Sequence, residues 1–533
     1  MTPTSTSTAV AEIDHVSFWY GSDPAQHSTY YSPVDSESSD ITNSDASTPT
    51  RSDKATLEDI SLDIIPGTIT LLCGASGSGK TSALQLLNGL VPHFHQGTIV
   101  GTVRVADLDV GSADIGACGE VSATVFQNPK TQFFTSAVRS ELAFRMENHG
   151  ISQAVMDAAV TRTAAQCDIE YLMDRQLKEM SGGELQKVAC AQAISANTPL
   201  LLFDEPTSNL SVEAIEEFTD MLTHLKQQGR TIVIAEHRLY FLRNLVDQAV
   251  LLEDGHIVKR MSGATFFAQT DSERRKAGLR TLIKPSFDTA ISTSPSVSAL
   301  PAKKSDDSGL VLNNLSFSYG KQPILDIEHA SFPKGSISAL VGANGAGKTT
   351  LARLICGLLK EERHSTISFD GKPLSPKQRT SMSYIVMQDV HRQLFADSVR
   401  KEVTLAFDKD AQRNKDVLGI LKQLDLGTYA DRHPLSLSGG QKQRLVIASA
   451  IACDKQIYVF DEPTSGVDYR HLIAIAKRLR ALASAGAVVI VITHDTELLE
   501  ICADRIAYLR SIRSGNISDS YNDSQLNIEP VTH

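Results

Sequence analysis

The chain has 533 residues, a length that calls for roughly two to four hydrophobic cores rather than one. A formal net charge of −11 gives it no global positive field, which argues against nucleic acid as a partner, and 41% hydrophobic residues are ample for packed interiors. Cys73, Cys118, Cys167, Cys190, Cys356, Cys453 and Cys502 stand apart with no CxxC pair, so neither a metal cage nor a disulfide framework is indicated and a reducing compartment fits.

In chain order, residues 1–10 read as a tail with neither a basic region nor an apolar core. No run of about 18 apolar residues follows anywhere, so a soluble chain is expected, one still able to dock on a membrane protein. Residues 22–53, dominated by Ser, Asp, Thr and Pro, predict a flexible insertion between Phe18-Trp19-Tyr20 and the segment TLEDISLDIIPG. The apolar run TITLLC leads into GASGSGKT at 74–81, which reads as strand, glycine turn and helix. QNPKTQFF follows at 127–134 and MSGG at 180–183. LLLFDEPTSNLS spans 200–211, a helical interval lies near 211–228, and TIVIAEH ends at His237. Strands near 200–204 and 231–235 alternating with helices predict a mostly parallel sheet covered by helices, with ligand groups at the carboxyl ends of its strands. A Ser/Pro/Lys-rich linker is expected at 266–308, and a polar, frayed tail from 512 to 533.

The same order returns in the second half. SISALV and GANGAGKT (342–349), a glutamine at 388, LSGG (437–440), IYVFDEPTSGVD (457–468) and VVIVITH ending at His494 match the first set. Ser181 to Glu205 and Ser438 to Glu462 are both 24 residues apart, and Glu205 to His237 and Glu462 to His494 both 32. Matched order and spacing mean a duplicated domain, 11–265 and 309–511.

GxxxxGK[ST] after a strand is a phosphate cradle, so ATP and Mg²⁺ are expected. Amides of Gly74, Ser76, Gly77, Ser78 and Gly79, and of Gly342, Asn344, Gly345, Ala346 and Gly347, would hold phosphate oxygens. Lys80 and Lys348 would reach the β and γ phosphates, Thr81 and Thr349 would approach the metal, and Thr350 would bind the nucleotide. Asp204 and Asp461 end apolar strands, where burial demands a partner such as Mg²⁺. Glu205 and Glu462 are candidates to orient or deprotonate water, or else carboxylates capping the turn before proline. A lone histidine at the end of a strand usually makes a local hydrogen bond; recurrence at one interval favours function for His237 and His494.

Taken together these motifs resemble the nucleotide-binding domain of ABC ATPases, and nearly the whole chain looks like two such domains. The resemblance implies an α/β fold, two P-loop domains each with a helical subdomain, which pair head to tail within the chain. Lys80, Thr81, Asp204, Glu205 and His237 would then share one ATP with Ser438, Gly439, Gly440 and Gln441, and Lys348, Thr349, Asp461, Glu462 and His494 the other with Ser181, Gly182, Gly183 and Glu184. By the same resemblance Tyr20 and Tyr319 would stack on adenine, or else serve core or rim, and Gln127 and Gln388 would sense Mg²⁺ and the attacking water. Two departures stand in the first copy, Glu184 in MSGGELQK and Ser211 where the family carries an acidic residue, and they suggest two hydrolysing sites of unequal rate.

QNPKTQFF and its counterpart QDVHRQLF resemble the ATPases of energy-coupling-factor importers. That likeness implies a peripheral motor on the cytoplasmic face of the membrane, serving a transmembrane coupling protein and a substrate-binding membrane subunit that takes vitamins or metal ions. Phe133, Phe134, Leu394 and Phe395 would form apolar sockets for inserted helices, with Glu141 and Glu402 pairing to basic residues on them, or the aromatics would simply pack the helical subdomain. The alternative is a soluble ribosome-associated duplicated ATPase, against which the acidic total and the short charged part of the linker weigh.

Overall fold

The computed structural model describes residues 9–21, 55–208, 210–284, 308–343, 345–405, 416–512 and 526–531. The chain divides into two compact units, Met1–Ile283 and Lys284–His533. The expected insertion at 22–53 and most of the linker lie outside the described residues, as does Asn344.

The strands of the first unit are β1 (Ala11–Tyr20), β2 (Leu57–Ile64), β3 (Ile69–Gly74), β4 (Gly97–Val105), β5 (Leu108–Asp109), β6 (Ser122–Val125), β7 (Leu200–Asp204), β8 (Thr231–Ala235), β9 (Gln248–Glu253) and β10 (His256–Ser262). Six form one sheet in the order β10-β9-β3-β8-β7-β6, parallel except at β9/β10. Burial on both faces explains why these strands read as continuous apolar runs. Ile69, Leu71, Leu201, Phe203, Ile232 and Ile234 enter one core, while their neighbours Leu72, Leu200, Leu202, Val233 and Ala235 enter the other. This is strand alternation feeding two layers. The four-stranded antiparallel sheet β2-β1-β4-β5 covers the second core.

The helix Val212–Gln227 shows the matching logic at a period of 3.6. Ser211 caps it by accepting from Ala214 N, and Ile215, Phe218, Leu222 and Leu225 form its buried stripe. Three helices, Val138–Asn148, Gln153–Gln166 and Gly182–Ser195, build the helical subdomain beyond β6.

The second unit repeats this plan with β11 (Gly309–Tyr319), β12 (Gln322–Pro333), β13 (Ile337–Val341), β14 (Thr366–Phe369), β15 (Lys372–Pro373), β16 (Ser383–Val386), β17 (Ile457–Asp461), β18 (Val488–Ile492), β19 (Arg505–Leu509) and β20 (Leu526–Pro530). Its sheets run β16-β17-β18-β13-β19-β20 and β12-β11-β14-β15.

Two boundary expectations are corrected. The linker was expected to open at 266, yet Phe266, Phe267, Leu279 and Leu282 are buried in the first unit's core, which outweighs the charge of RRKAGLR. The tail after 512 was expected to be frayed, yet Leu526–Pro530 adds an antiparallel edge to β19, with Leu526 buried opposite Leu509. Five residues are enough because the waiting edge supplies the hydrogen-bond partners.

Candidate nucleotide and catalytic sites

In each unit the parallel sheet delivers its motifs to one edge. β3 ends at Gly74, β7 at Asp204 and β8 just before Glu236 and His237, with Ala235 opposite both Leu72 and Asp204. β13, β17 and β18 do the same, with Ile492 opposite Leu340 and Asp461.

The P-loop turns away from its strand at a glycine for a steric reason. A Cβ at Gly74 would sit 2.1 Å from the Leu252 carbonyl oxygen, and one at Gly342 2.2 Å from that of Leu509. The helices then begin at Lys80 and Lys348, directing their N-terminal amides toward the loop. Lys80 Nζ donates to the carbonyls of Gly74 and Ala75, each at 3.0 Å, and Lys348 Nζ to those of Gly342 and Ala343 at 2.5 and 3.1 Å. The Ser78 hydroxyl is buried with no hydrogen-bond partner, close against Gly74, where an added Cβ would lie 2.8 Å from it.

Thr81 Oγ1 donates to Asp204 Oδ1 at 3.1 Å and Thr349 Oγ1 to Asp461 Oδ2 at 2.9 Å, so the hydroxyl and carboxylate needed to hold Mg²⁺ are already adjacent in both units. Burial, then the nearby charge of Glu205, pushes the Asp204 carboxyl up to about 7, and burial raises that of Asp461 too. A buried acid of this kind fits a site whose partner is a cation.

Glu205 and Glu462 occupy the left-handed region, at φ 46° and 52°. Backbone bonds from Glu205 N to Ala235 O and from Glu462 N to Ile492 O, both 2.8 Å, hold this conformation in place. The side chains differ in company. Glu205 Oε2 accepts from Gln127 Nε2 at 2.7 Å, and its Oε1 lies 3.4 Å from His237 Nε2. Glu462 Oε2 accepts from Thr493 Oγ1 at 3.0 Å, Oε1 accepts from His494 N at 3.1 Å, and His494 Nε2 stands 4.0 Å away. Gln388, the counterpart of Gln127, is exposed just beyond β16.

Tyr20 and Tyr319 end β1 and β11 with their rings half exposed, each edge-on to a phenylalanine, Phe18 or Phe317. The Tyr20 hydroxyl reaches Gln85 and Ser82 on the P-loop helix, at 2.9 and 3.1 Å.

Both signature segments are capping boxes. Ser181 accepts from Glu184 N while Ser181 N donates to Glu184 Oε2, and Ser438 and Gln441 do the same. Gly182, Gly183, Gly439 and Gly440 form the first turns. Burial would raise the Glu184 carboxyl, but Ser181 and the Arg175 guanidinium at 2.7 Å hold it below the usual range. Glu184 is therefore a paired anion on a helix N-terminus. Ser211 and Asp468 turn out to be N-caps of equivalent helices, so the exchange of Asp for Ser keeps the cap.

The QFF and QLF segments contain a staple that motif reading missed. Gln132 Oε1 accepts from Phe126 N and Gln393 Oε1 from Met387 N, at 3.1 and 2.7 Å, closing each loop on itself. The repeated glutamine one residue before Phe133 and Leu394 was the available signal. Glu141 and Glu402 do not offer charge to a partner: they are buried and accept from the loop's own amides, Phe134 N and Thr135 N in one unit, Phe395 N and Ala396 N in the other. Phe133 and Leu394 pack inward, which corrects their expected place in a socket. Phe134 and Phe395 point out, at 74% and 79% exposure. Glu141→Ala leaves at least two amides without their acceptor; a loss of about 2–3 kcal/mol in the first unit is expected by chemical denaturation, with faster hydrogen exchange at Phe134 and Thr135.

Among the described residues, no helix is long and apolar enough to cross a membrane. A family model described as ABC transporter matches residues 57–208 and 325–465. A putative ABC transporter ATP-binding protein of Treponema denticola is 40% identical over 453 residues, covering 85% of this chain and 91% of that protein. A second from the same organism is 34% identical, covering 88% and 94%. In fold, the chain is similar to one in a model of ribosome-bound archaeal Pelota and ABCE1, with TM-score 0.59, 21% identity and coverage of 84% and 75%. Each matched segment of the family model contains a P-loop, a signature helix start and an Asp-Glu strand end, a fold typical of ATP-hydrolysing enzymes that implies ATP binding, and the chain belongs to the ABC transporter family as two of its ATP-binding domains in tandem.

Proposed function

We propose that the chain is the ATP-hydrolysing motor of a membrane importer of the energy-coupling-factor kind, working on the cytoplasmic face through a separate transmembrane coupling protein and a substrate-binding membrane subunit. The observation that carries this reading is the duplicated, exposed ring, Phe134 and Phe395, on a loop that starts at Gln127 or Gln388 and is closed by Gln132 or Gln393. A large apolar side chain held in the open by a rigid loop suits an anchor for a partner's groove or helix. The names of the relatives from Treponema denticola, putative ABC transporter ATP-binding proteins, support transport.

In this reading Lys80, Lys348 and the P-loop amides bind the phosphates, Tyr20 and Tyr319 the base, and the signature starts at Ser181 and Ser438 offer amides to a γ phosphate. Glu205 and Glu462 take a proton as water oxygen bonds to the γ phosphorus and the bridge to the β phosphate breaks, while Gln127 and His237 hold Glu205 in place. Mg²⁺, held by Thr81 and Asp204 or by Thr349 and Asp461 with Gln127 and Gln388 nearby, would supply charge neutralisation on the phosphates. Closure of the two domains on ATP, inferred from the family, then moves the coupled membrane helices, and hydrolysis resets them.

A second reading, a ribosome-associated duplicated ATPase acting in translation, draws on the fold likeness to the ribosome-bound chain. Solubilised native membranes and a cleared lysate separate the two. Co-purification of a polytopic membrane protein supports the importer, whereas sedimentation with ribosomes and ATPase stimulation by them defeats it.

A further inference from the structure

The two domains differ at the residues that flank the histidine: Ala-Glu-His-Arg at 235–238 and Ile-Thr-His-Asp at 492–495. Each must anchor the threonine of its DEPT turn, and each does so differently. In the second domain Thr464 Oγ1 donates to Asp495 Oδ2 at 2.5 Å, after the histidine, and Thr493, before it, donates its hydroxyl to Glu462. In the first, Thr207 Oγ1 donates at 2.5 Å to Glu236 Oε1, before the histidine, and that oxygen also accepts from Arg238 N at 3.2 Å. The first domain therefore has a carboxyl where the second has a hydroxyl. Glu236 is 2% exposed, and its other oxygen, Oε2, is buried with no hydrogen-bond partner.

We propose that Glu236 is a positioning residue of the first domain that carries a proton while the site is competent, so that Glu205 is the single ionised glutamate beside His237. This rests on reading Glu205 as the carboxylate that serves water. The physical ground is that two neighbouring buried carboxylates do not both ionise without a compensating cation. Among the described residues, the charged groups around Glu236 are Glu205 from the end of β7 and, on its own segment, His237 and Arg238; β3 contributes the Leu72 carbonyl, which accepts from Glu236 N at 3.3 Å. Arg238 is engaged elsewhere, donating to the carbonyls of Thr207 and Leu210. Burial first, and the charge of Glu205 as well, push the Glu236 carboxyl up to about 8, against the pull of the Thr207 hydroxyl and of the charge and backbone amide of Arg238. Loss of the proton places a second negative charge beside Glu205 and competes with its seat on Gln127 and His237. The second domain, with Thr493, has no such titration at this position.

The linkage has a definite sign. The folded value lies above the ordinary 4.5, so Glu236 favours the folded state fully below about pH 4.5 and loses that contribution as the pH rises to about 8. Glu236→Gln, a neutral isostere, removes the slope: its melting temperature gains on the wild type steadily between pH 5 and pH 8. In steady-state ATPase assays of the full chain from pH 6 to 9.5, the wild type shows an alkaline decline. E236Q loses that decline and stays within about threefold of wild-type turnover at pH 7. E236T combined with R238D, which copies Thr493 and Asp495, is expected to give the same flat profile. Superimposable pH profiles and parallel melting curves for wild type and E236Q would overturn the proposal. So would an E236Q protein that folds normally but is slow at every pH. Undiminished turnover in E205Q would instead sink the reading of Glu205, and the melting comparison still decides where the proton sits.

Discussion

Glu205→Gln and Glu462→Gln are each expected to lower the turnover of their own domain by about 100-fold or more, close to 3 kcal/mol of barrier, while ATP binding is retained. Binding survives because the groups that meet the phosphates, Lys80 and Lys348 with the loop amides, are separate from these glutamates. The two variants are also expected to be unequal. Glu205 sits on the Gln127 amide and beside His237, whereas Glu462 is met by the Thr493 hydroxyl and the His494 backbone amide. A carboxylate held by a hydroxyl and a backbone amide is positioned differently from one seated between a side-chain amide and an imidazole. Steady-state ATPase and nucleotide-binding assays on both single variants and the double variant check this. Equal losses in the two singles, or normal turnover in either, would count against two unequal hydrolysing sites.

Phe395→Ala is expected to leave its domain's stability within about 0.5 kcal/mol, because that side chain is in solvent, and Phe134→Ala to cost about 0.5–1.5 kcal/mol, because its outward ring stacks on Phe144 with centroids 5.1 Å apart. Partner attachment should weaken by about 2 kcal/mol per ring, roughly 30-fold, the scale of a central aromatic anchor. Leu394→Ala behaves in the opposite way: its side chain is buried in the helical subdomain's core, so about 2–3 kcal/mol of stability is lost. Comparing F395A with L394A therefore separates docking from folding at adjacent positions. Full partner association and uptake by the double F134A/F395A variant would defeat the docking assignment, whichever membrane partner is used.

The parallel cores were legible because their signal is local. Runs such as LLLFD and VVIVI are apolar without interruption, which suits strands buried on both faces, and the two P-loops fix where each domain starts its chemistry. The helix expected near 211–228 lies at Val212–Gln227 because its cap and its 3.6-residue stripe are written in the sequence. The antiparallel sheets were not foreseen. Their register comes from pairings between distant segments, Ala11 with Ile64 and Val105 for instance, that no local window contains. The segment 266–283 failed for a related reason, since its charge suggested a linker while four spaced apolar side chains found a core in three dimensions.

At the sites, the sequence by itself determined the duplication, the phosphate loops and the identity of the Asp, Glu and His at the strand ends, since chemistry of that kind requires fixed residue types at fixed spacing. Only the tertiary structure decided what those residues do to one another. Glu141 and Glu402 read as surface charge and are buried acceptors for their own loops; adjacent aromatics divide into one that packs and one that projects. Ser211 read as a lost acid and is a helix cap, and Glu236, which no motif singled out, is a buried second carboxyl near Glu205. The physical reason is common to all of these: hydrogen bonding and desolvation depend on which distant groups share a few ångströms, and the sequence encodes that proximity only through the completed fold.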